Sequence, residues 1–186
     1  MLTSSLRRCV RLGAAASAGV LVAVVTVFVV ASRRIPEDAP IARMYRTEAG
    51  LTALAKAIET YRDAHGAYPP AGIEGLRLAT DYLSRDADYF PDGPPPDAWG
   101  RPYRYVPHTQ YSGPDSYALR SHSGYAAPEK YQLYSVGADG APGLDDPSAR
   151  RDNICSWDET KPWRAVYQEL NEKYSLESRW SSPRTP

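Results

Sequence analysis

Apolar residues are distributed along the chain in three different periods, and each predicts a different kind of element. Leu12 to Ala31 is a run of 20 uncharged residues, dominated by Val and Ala. As a helix rising 1.5 Å per residue it would be about 30 Å long, the thickness of a bilayer's hydrocarbon core. It lacks the polar face that a buried helix of a water-soluble protein presents. Between Arg33 and Ile41, Pro36 and Pro40 flank Glu37 and Asp38, and prolines remove helix donors and turn the preceding residue away from helical angles. A hinge is expected there. Beyond it, Met44, Leu51, Leu54, Ile58 and Tyr61 share one stripe of helical period, while Arg46, Glu48, Lys56, Glu59, Arg62 and Asp63 lie mostly elsewhere. Gly66 suits the left-handed position that closes a helix, and Pro69-Pro70 blocks continuation, so this helix ends near residue 65.

Ile73 to Leu83 repeats the helical period over a shorter stretch. Pro91 to Pro102 holds five prolines and two glycines, which predicts a long ordered loop. From Tyr103 the period changes to two, with strands expected at Tyr103–Val106, Tyr117–Arg120 and Tyr131–Val136. Trp163, Val166, Tyr167, Leu170 and Tyr174 return to helical spacing behind Pro162, a residue suited to a first turn. Short connections between successive strands favour an antiparallel sheet with a helix on one face, an α+β arrangement. The last residues, 176–186, are expected to fray into a flexible tail.

Charge sharpens this picture. The chain of 186 residues is formally neutral, but residues 1–34 carry five arginines and no acid, leaving 17 basic against 22 acidic groups in the remainder. A mildly acidic domain without a basic stripe excludes nucleic acid as a partner. Three arginines precede the apolar run and two follow, so the positive-inside rule leans towards a cytoplasmic N-terminus. Val29 and Ala31 before Ser32 would also suit a signal peptidase. The length of the apolar core favours an uncleaved anchor over a cleaved signal.

Several blocks occur in a fixed order. They are Thr47-Glu48-Ala49-Gly50-Leu51 leading to Tyr61-Arg62-Asp63-Ala64-His65-Gly66-Ala67-Tyr68-Pro69, Gly75-Leu76 with Leu78, and Pro96-Asp97-Ala98-Trp99-Gly100-Arg101-Pro102-Tyr103. Tyr134-Ser135-Val136-Gly137-Ala138-Asp139-Gly140-Ala141-Pro142-Gly143 and Asp152-Asn153-Ile154-Cys155-Ser156-Trp157-Asp158 follow. In this order, over residues 47–158, the chain resembles the major pseudopilins of type II secretion systems. The resemblance implies a pilin-like fold, a structural role in protein secretion, other secretion-system or pseudopilus proteins as partners, and a calcium ion in the C-terminal loop. It places the chain in a bacterial inner membrane as a single-pass protein with its C-terminal domain in the periplasm. The organisation expected is a cytoplasmic segment 1–11, a span 12–31, a hinge 32–40, a pilin-like domain 41–175 and the tail 176–186.

Calcium takes six to eight oxygen ligands, and Asp139, Asp145, Asp146 and Asp152 offer carboxylates on a loop that Gly137, Gly140 and Gly143 allow to fold back. Asp139 lies in the matched motif, and backbone carbonyls near Val136 would complete the shell. The loop between Gly143 and Ile154 departs from the family pattern and carries Arg150 and Arg151, which could pair with those aspartates instead. A second departure precedes the apolar run. The resemblance implies a glycine followed by a phenylalanine-rich start and a glutamate five residues on, whereas Gly13 is followed by Ala14-Ala15-Ala16-Ser17-Ala18. This leaves open an alternative, a stand-alone extracytoplasmic binding module outside any filament.

No enzymatic pattern emerges. His65, His108 and His122 are scattered, and no nucleophile elbow, His-Glu-x-x-His or phosphate loop is present. No small-molecule substrate is expected. Cys9 and Cys155 would lie on opposite sides of the membrane and so cannot pair. Cys155 is then either buried or available for an intermolecular bridge.

Overall fold

The computed structural model describes residues 36–85, 89–113, 116–121, 124–144, 146–158 and 160–181. The apolar run Leu12–Ala31, the Gly13 region and the first hinge residues lie outside them. Among the described residues no helix is long and apolar enough to cross a membrane.

Helix α1 spans Pro40–His65, with Pro40 in the first turn, where a missing N–H costs nothing. It stops at Gly66, whose φ of 72° returns its N–H to the Arg62 carbonyl at 2.8 Å. Met44, Leu51, Leu54 and Ile58 of the expected stripe are buried, joined by Thr47 and Ala57. Removing a Leu or Ile side chain of this stripe from water contributes about 2 kcal/mol, which is why the packed face, rather than propensity, holds the helix. Helix α2, Gly72–Leu83, buries Leu76 and Ala79 against the same core. Helix α3, Trp163–Ser181, adds Trp163 and Tyr167.

The main sheet is antiparallel, in the order β1 (Arg104–Pro107), β4 (Tyr131–Ser135), β5 (Ile154–Cys155). Tyr105 opposes Leu133 and Ser135 opposes Ile154. All five residues of the central β4 are buried. A separate two-stranded ribbon joins β2 (Arg120–Ser121) to β3 (Gly124–Tyr125). The architecture is therefore α+β, as expected.

One strand was misplaced by periodicity. Tyr117–Arg120 does not join the main sheet; only Arg120 enters the ribbon, and the third position is taken by β5. The reason is the buried Gln132 side chain. Its Oε1 accepts the Leu119 N–H, and its Nε2 donates to the Leu119 carbonyl at 2.9 Å and the Ala126 carbonyl at 2.7 Å. A side-chain amide thus satisfies the backbone that a neighbouring strand would otherwise pair.

Helix α3 runs antiparallel to α1. Lys161 just before it and Arg164 in its first turn both reach the Glu48 carboxylate, Arg164 at 3.0 Å, and Tyr174 Oη donates to Asp38 Oδ2 at 2.9 Å. Burial alone would push the Glu48 carboxyl up, but the bonds from Lys161 and Arg164 outweigh it and hold the group below its ordinary value.

A close approach between α1 and the segment entering β1 sets a stringent test of this packing. Tyr103 Oη donates to the Thr47 carbonyl at 3.0 Å, directly over Gly50, where an added Cβ would stand 2.4 Å from the tyrosine oxygen. Gly50→Ala, favoured by about 1 kcal/mol on helix propensity, should therefore destabilise the fold, by roughly 1–3 kcal/mol, since overpacking outweighs propensity. Urea unfolding of the single variants and of Gly50→Ala with Tyr103→Phe should give a positive coupling, the double variant recovering part of the loss.

Candidate functional site

The acidic loop leaves β4 at Ser135 and returns at Ile154. Its first turn requires Gly137 on two counts: φ is 68°, and a Cβ there would lie 2.4 Å from the Asp152 carbonyl oxygen and 2.6 Å from Asp152 Oδ2. Both polar groups of the Gly137 residue are held by the Pro96–Pro102 turn. Its N–H donates to Ser135 Oγ at 3.1 Å, and Ser135 Oγ–H donates in turn to Asp97 Oδ2 at 2.6 Å. Its carbonyl accepts from the Arg101 guanidinium, which also reaches the Ala138 carbonyl at 3.4 Å. Asp97 is only 4% exposed, and its other oxygen accepts the N–H groups of Trp99 and Arg101, each at 2.9 Å.

From the opposite side, Tyr167 of α3 bridges the two arms of the loop. Its hydroxyl accepts the Ala138 N–H and donates to the Asp152 carbonyl, both at 3.1 Å. Asp152 is buried, and its Oδ2 accepts the Asp139 N–H at 3.0 Å. Burial first, and then the neighbouring Asp139 charge, raise the Asp152 carboxyl above its ordinary value against the pull of the backbone N–H bonds.

Of the four aspartates expected to hold a metal, the structure brings Asp139 and Asp152 together. Asp139 Oδ1 also accepts the Ala141 N–H at 2.7 Å. Asp146 instead caps the 3-10 turn Pro147–Arg150, accepting from the Ser148 N–H and hydroxyl at 2.8 and 2.7 Å, and these bonds lower its carboxyl. Asp145 lies outside the described residues. Among the described residues no ion pair joins Arg150 or Arg151 to Asp139, Asp146 or Asp152. Arg150 donates to the Arg120 carbonyl instead. No group of three or more acidic, His or Cys side chains gathers among the described residues. Asp139 and Asp152 are therefore the two expected ligands that the structure places side by side at this loop.

The residues that shape this loop, Asp97, Arg101, Ser135 and Tyr167, were not among the predicted site residues. The dense Asp97–Arg101 turn was the available signal, since a buried carboxylate in a Pro/Gly-rich turn needs several donors. His65 Nδ1 meets the Tyr61 carbonyl and His108 Nδ1 the Lys130 carbonyl, both at 2.8 Å; His122 lies outside the described residues. Cys155 is partly buried, and burial pushes its thiol up.

A group whose folded-state carboxyl is raised binds its proton more tightly folded than unfolded. Stability is then greatest below the ordinary carboxylate value near 4 and falls as pH rises through the folded value. In chelator, the Asp152 contribution should make the protein lose melting temperature over the interval just above pH 4. Asp152→Asn should flatten that limb without lowering the melting temperature at neutral pH, as differential scanning calorimetry across pH will register.

The sequence pattern of the family described as type II secretion system protein G matches residues 34–157. No curated protein matches the chain. The matched span covers about two thirds of the chain, includes α1, the sheet and the whole acidic loop, and leaves α3 outside. The chain belongs to the type II secretion system protein G family, the major pseudopilins.

Proposed function

We propose that the protein is a structural or assembly subunit of a type II secretion apparatus, tethered in the bacterial inner membrane through Leu12–Ala31 with residues 41–175 in the periplasm. In this reading the loop from Val136 to Asn153 is ordered by a calcium ion held by Asp139 and Asp152, with Asp145 and Asp146 as further candidate ligands. The observation that carries the calcium assignment is the buried Asp152 carboxylate beside Asp139 with no ion pair among the described residues. Calcium would supply the counter-charge, and the chain's own residues would do the rest: Asp97 and Arg101 present the loop, and Tyr167 ties its arms together.

The departure at Gly13 supports a second reading, a membrane-tethered binding module that has left the filament. A buried glutamate in lipid is costly and needs a partner, and this chain carries none in Leu12–Ala31 with which to dock onto a neighbouring subunit.

Two measurements separate these possibilities. Calcium at 100 times its dissociation constant should stabilise the full-length chain by about 2.7 kcal/mol, a rise of roughly 5–10 °C in melting temperature for a domain of this size. Asp152→Asn should abolish the rise; an unchanged melting temperature in the native chain removes calcium from the account. In cells of the source bacterium, crosslinking at exposed positions should recover the secretion-system proteins with the native chain. Recovery of none of them favours the module.

A further inference from the structure

The prolines of residues 32–40 predict a hinge, yet its described part is held at three successive residues. The Glu37 carbonyl accepts from the Arg46 guanidinium of α1. Asp38 Oδ2 accepts the Tyr174 hydroxyl of α3 at 2.9 Å. Ala39 is only 1% exposed, and its carbonyl accepts the Arg43 N–H at 3.0 Å, a bond of the first turn of α1. Asp38 itself is exposed, so its hold comes from α3 rather than from burial.

Helix α3 reaches Asp38 because it follows this segment residue for residue in the opposite sense. The Glu48–Arg164 and Asp38–Tyr174 contacts are ten residues apart on both sides. The two halves of α3 are secured by different means. Trp163 and Tyr167 are buried in the main core, and Leu170 packs against it. The joint before the helix is fixed as well: Lys161 has a φ of 49°, unfavourable for a residue with a Cβ, and its side chain meets Glu48. From Asn171 to Glu177, by contrast, no residue is buried. Lys173 and Glu177 pair at 4.0 Å with both side chains exposed, a contact that adds little. A short stretch of helix without a packed face is marginal in water, so the Tyr174 bond carries a large share of its docking.

We propose that residues 171–181 of α3 are a releasable strap on the link that leads into the domain. Docked, the strap holds Asp38 and makes residues 37–40 a fixed part of the domain. Peeled from Tyr174 onward, it leaves this link to Arg46 and the turn at Ala39, and the hinge predicted by the prolines gains its C-terminal half. Strap and Arg46 hold adjacent residues of one short segment, so each strengthens the other, and by linkage loosening either loosens both. The strap lies beyond residue 157, outside the span that matches the secretion family, and it requires neither calcium nor assembly into a filament.

Amide hydrogen exchange of the full-length chain in detergent tests this coupling. In Tyr174→Phe, which keeps the ring, exchange should rise about three- to tenfold at residues 171–177 and at the Arg43 amide, the change expected from one lost hydrogen bond, while residues 167–170 and 51–62 keep their protection. Asp38→Asn retains an acceptor and should keep most of the native protection, whereas Asp38→Ala should match Tyr174→Phe. Arg46→Ala, which removes a group of α1 alone, should raise exchange at residues 171–177 as well. The proposal is overturned by unchanged exchange in Tyr174→Phe or by an equal rise throughout α1 and α3. A rise at residues 171–177 that leaves the Arg43 amide unmoved is plain fraying of a helix end and overturns it too, as does an Arg46→Ala response confined to α1.

Discussion

The Gly137 residue is the point on which the acidic loop depends. Its N–H and C=O are fixed by two residues of one distant turn, Asp97 through Ser135 and Arg101 directly. The turn itself is closed around the Asp97 carboxylate, which accepts two backbone N–H groups and a hydroxyl and needs no cation of its own. Three donors satisfy its oxygens, and a buried carboxyl held in this way is usable as a structural pin. Asp152 is also buried, and there burial and the neighbouring Asp139 charge outweigh the backbone N–H groups and push its carboxyl up. The two aspartates meet the same loop, Asp97 through Ser135 at the Gly137 N–H and Asp152 directly at the Asp139 N–H.

The family span carries this loop, but the last contact that completes it comes from outside. Tyr167 belongs to α3, beyond residue 157, and its hydroxyl joins the Ala138 N–H to the Asp152 carbonyl. The start of the helix is tied to α1 through Glu48, which Lys161 and Arg164 reach, and its Tyr174 is tied to Asp38 in the turn before α1. Loss of α3 would remove this bridge between the two arms of the loop.

Much of this was legible in the residue pattern. The stripe from Met44 to Ile58 and the stop at Gly66 follow from period and from the left-handed preference of glycine, and both are where the pattern puts them. Trp163 and Tyr167 were readable as a helix face behind Pro162. What the pattern missed are interactions without a period. Tyr117–Arg120 alternates like a strand, but the buried Gln132 amide takes up its backbone groups from within β4. Ile154–Cys155 is too short to announce itself and pairs because Tyr134 and Ser135 lie opposite. At the site, the sequence set Asp139 apart by the matched motif but did not separate Asp145, Asp146 and Asp152 from one another. Only local geometry separates Asp139 and Asp152, which meet, from Asp146, which Ser148 draws into a helix cap.

The central claim is that the turn around Asp97 holds the acidic loop in place, and amide hydrogen exchange in Asp97→Asn tests it most directly. The account predicts that protection falls at the Gly137, Ala138 and Asp139 amides while the β1–β4 ladder and the α1 core keep theirs. Unchanged protection in the loop, or an equal loss across the whole domain, would contradict it.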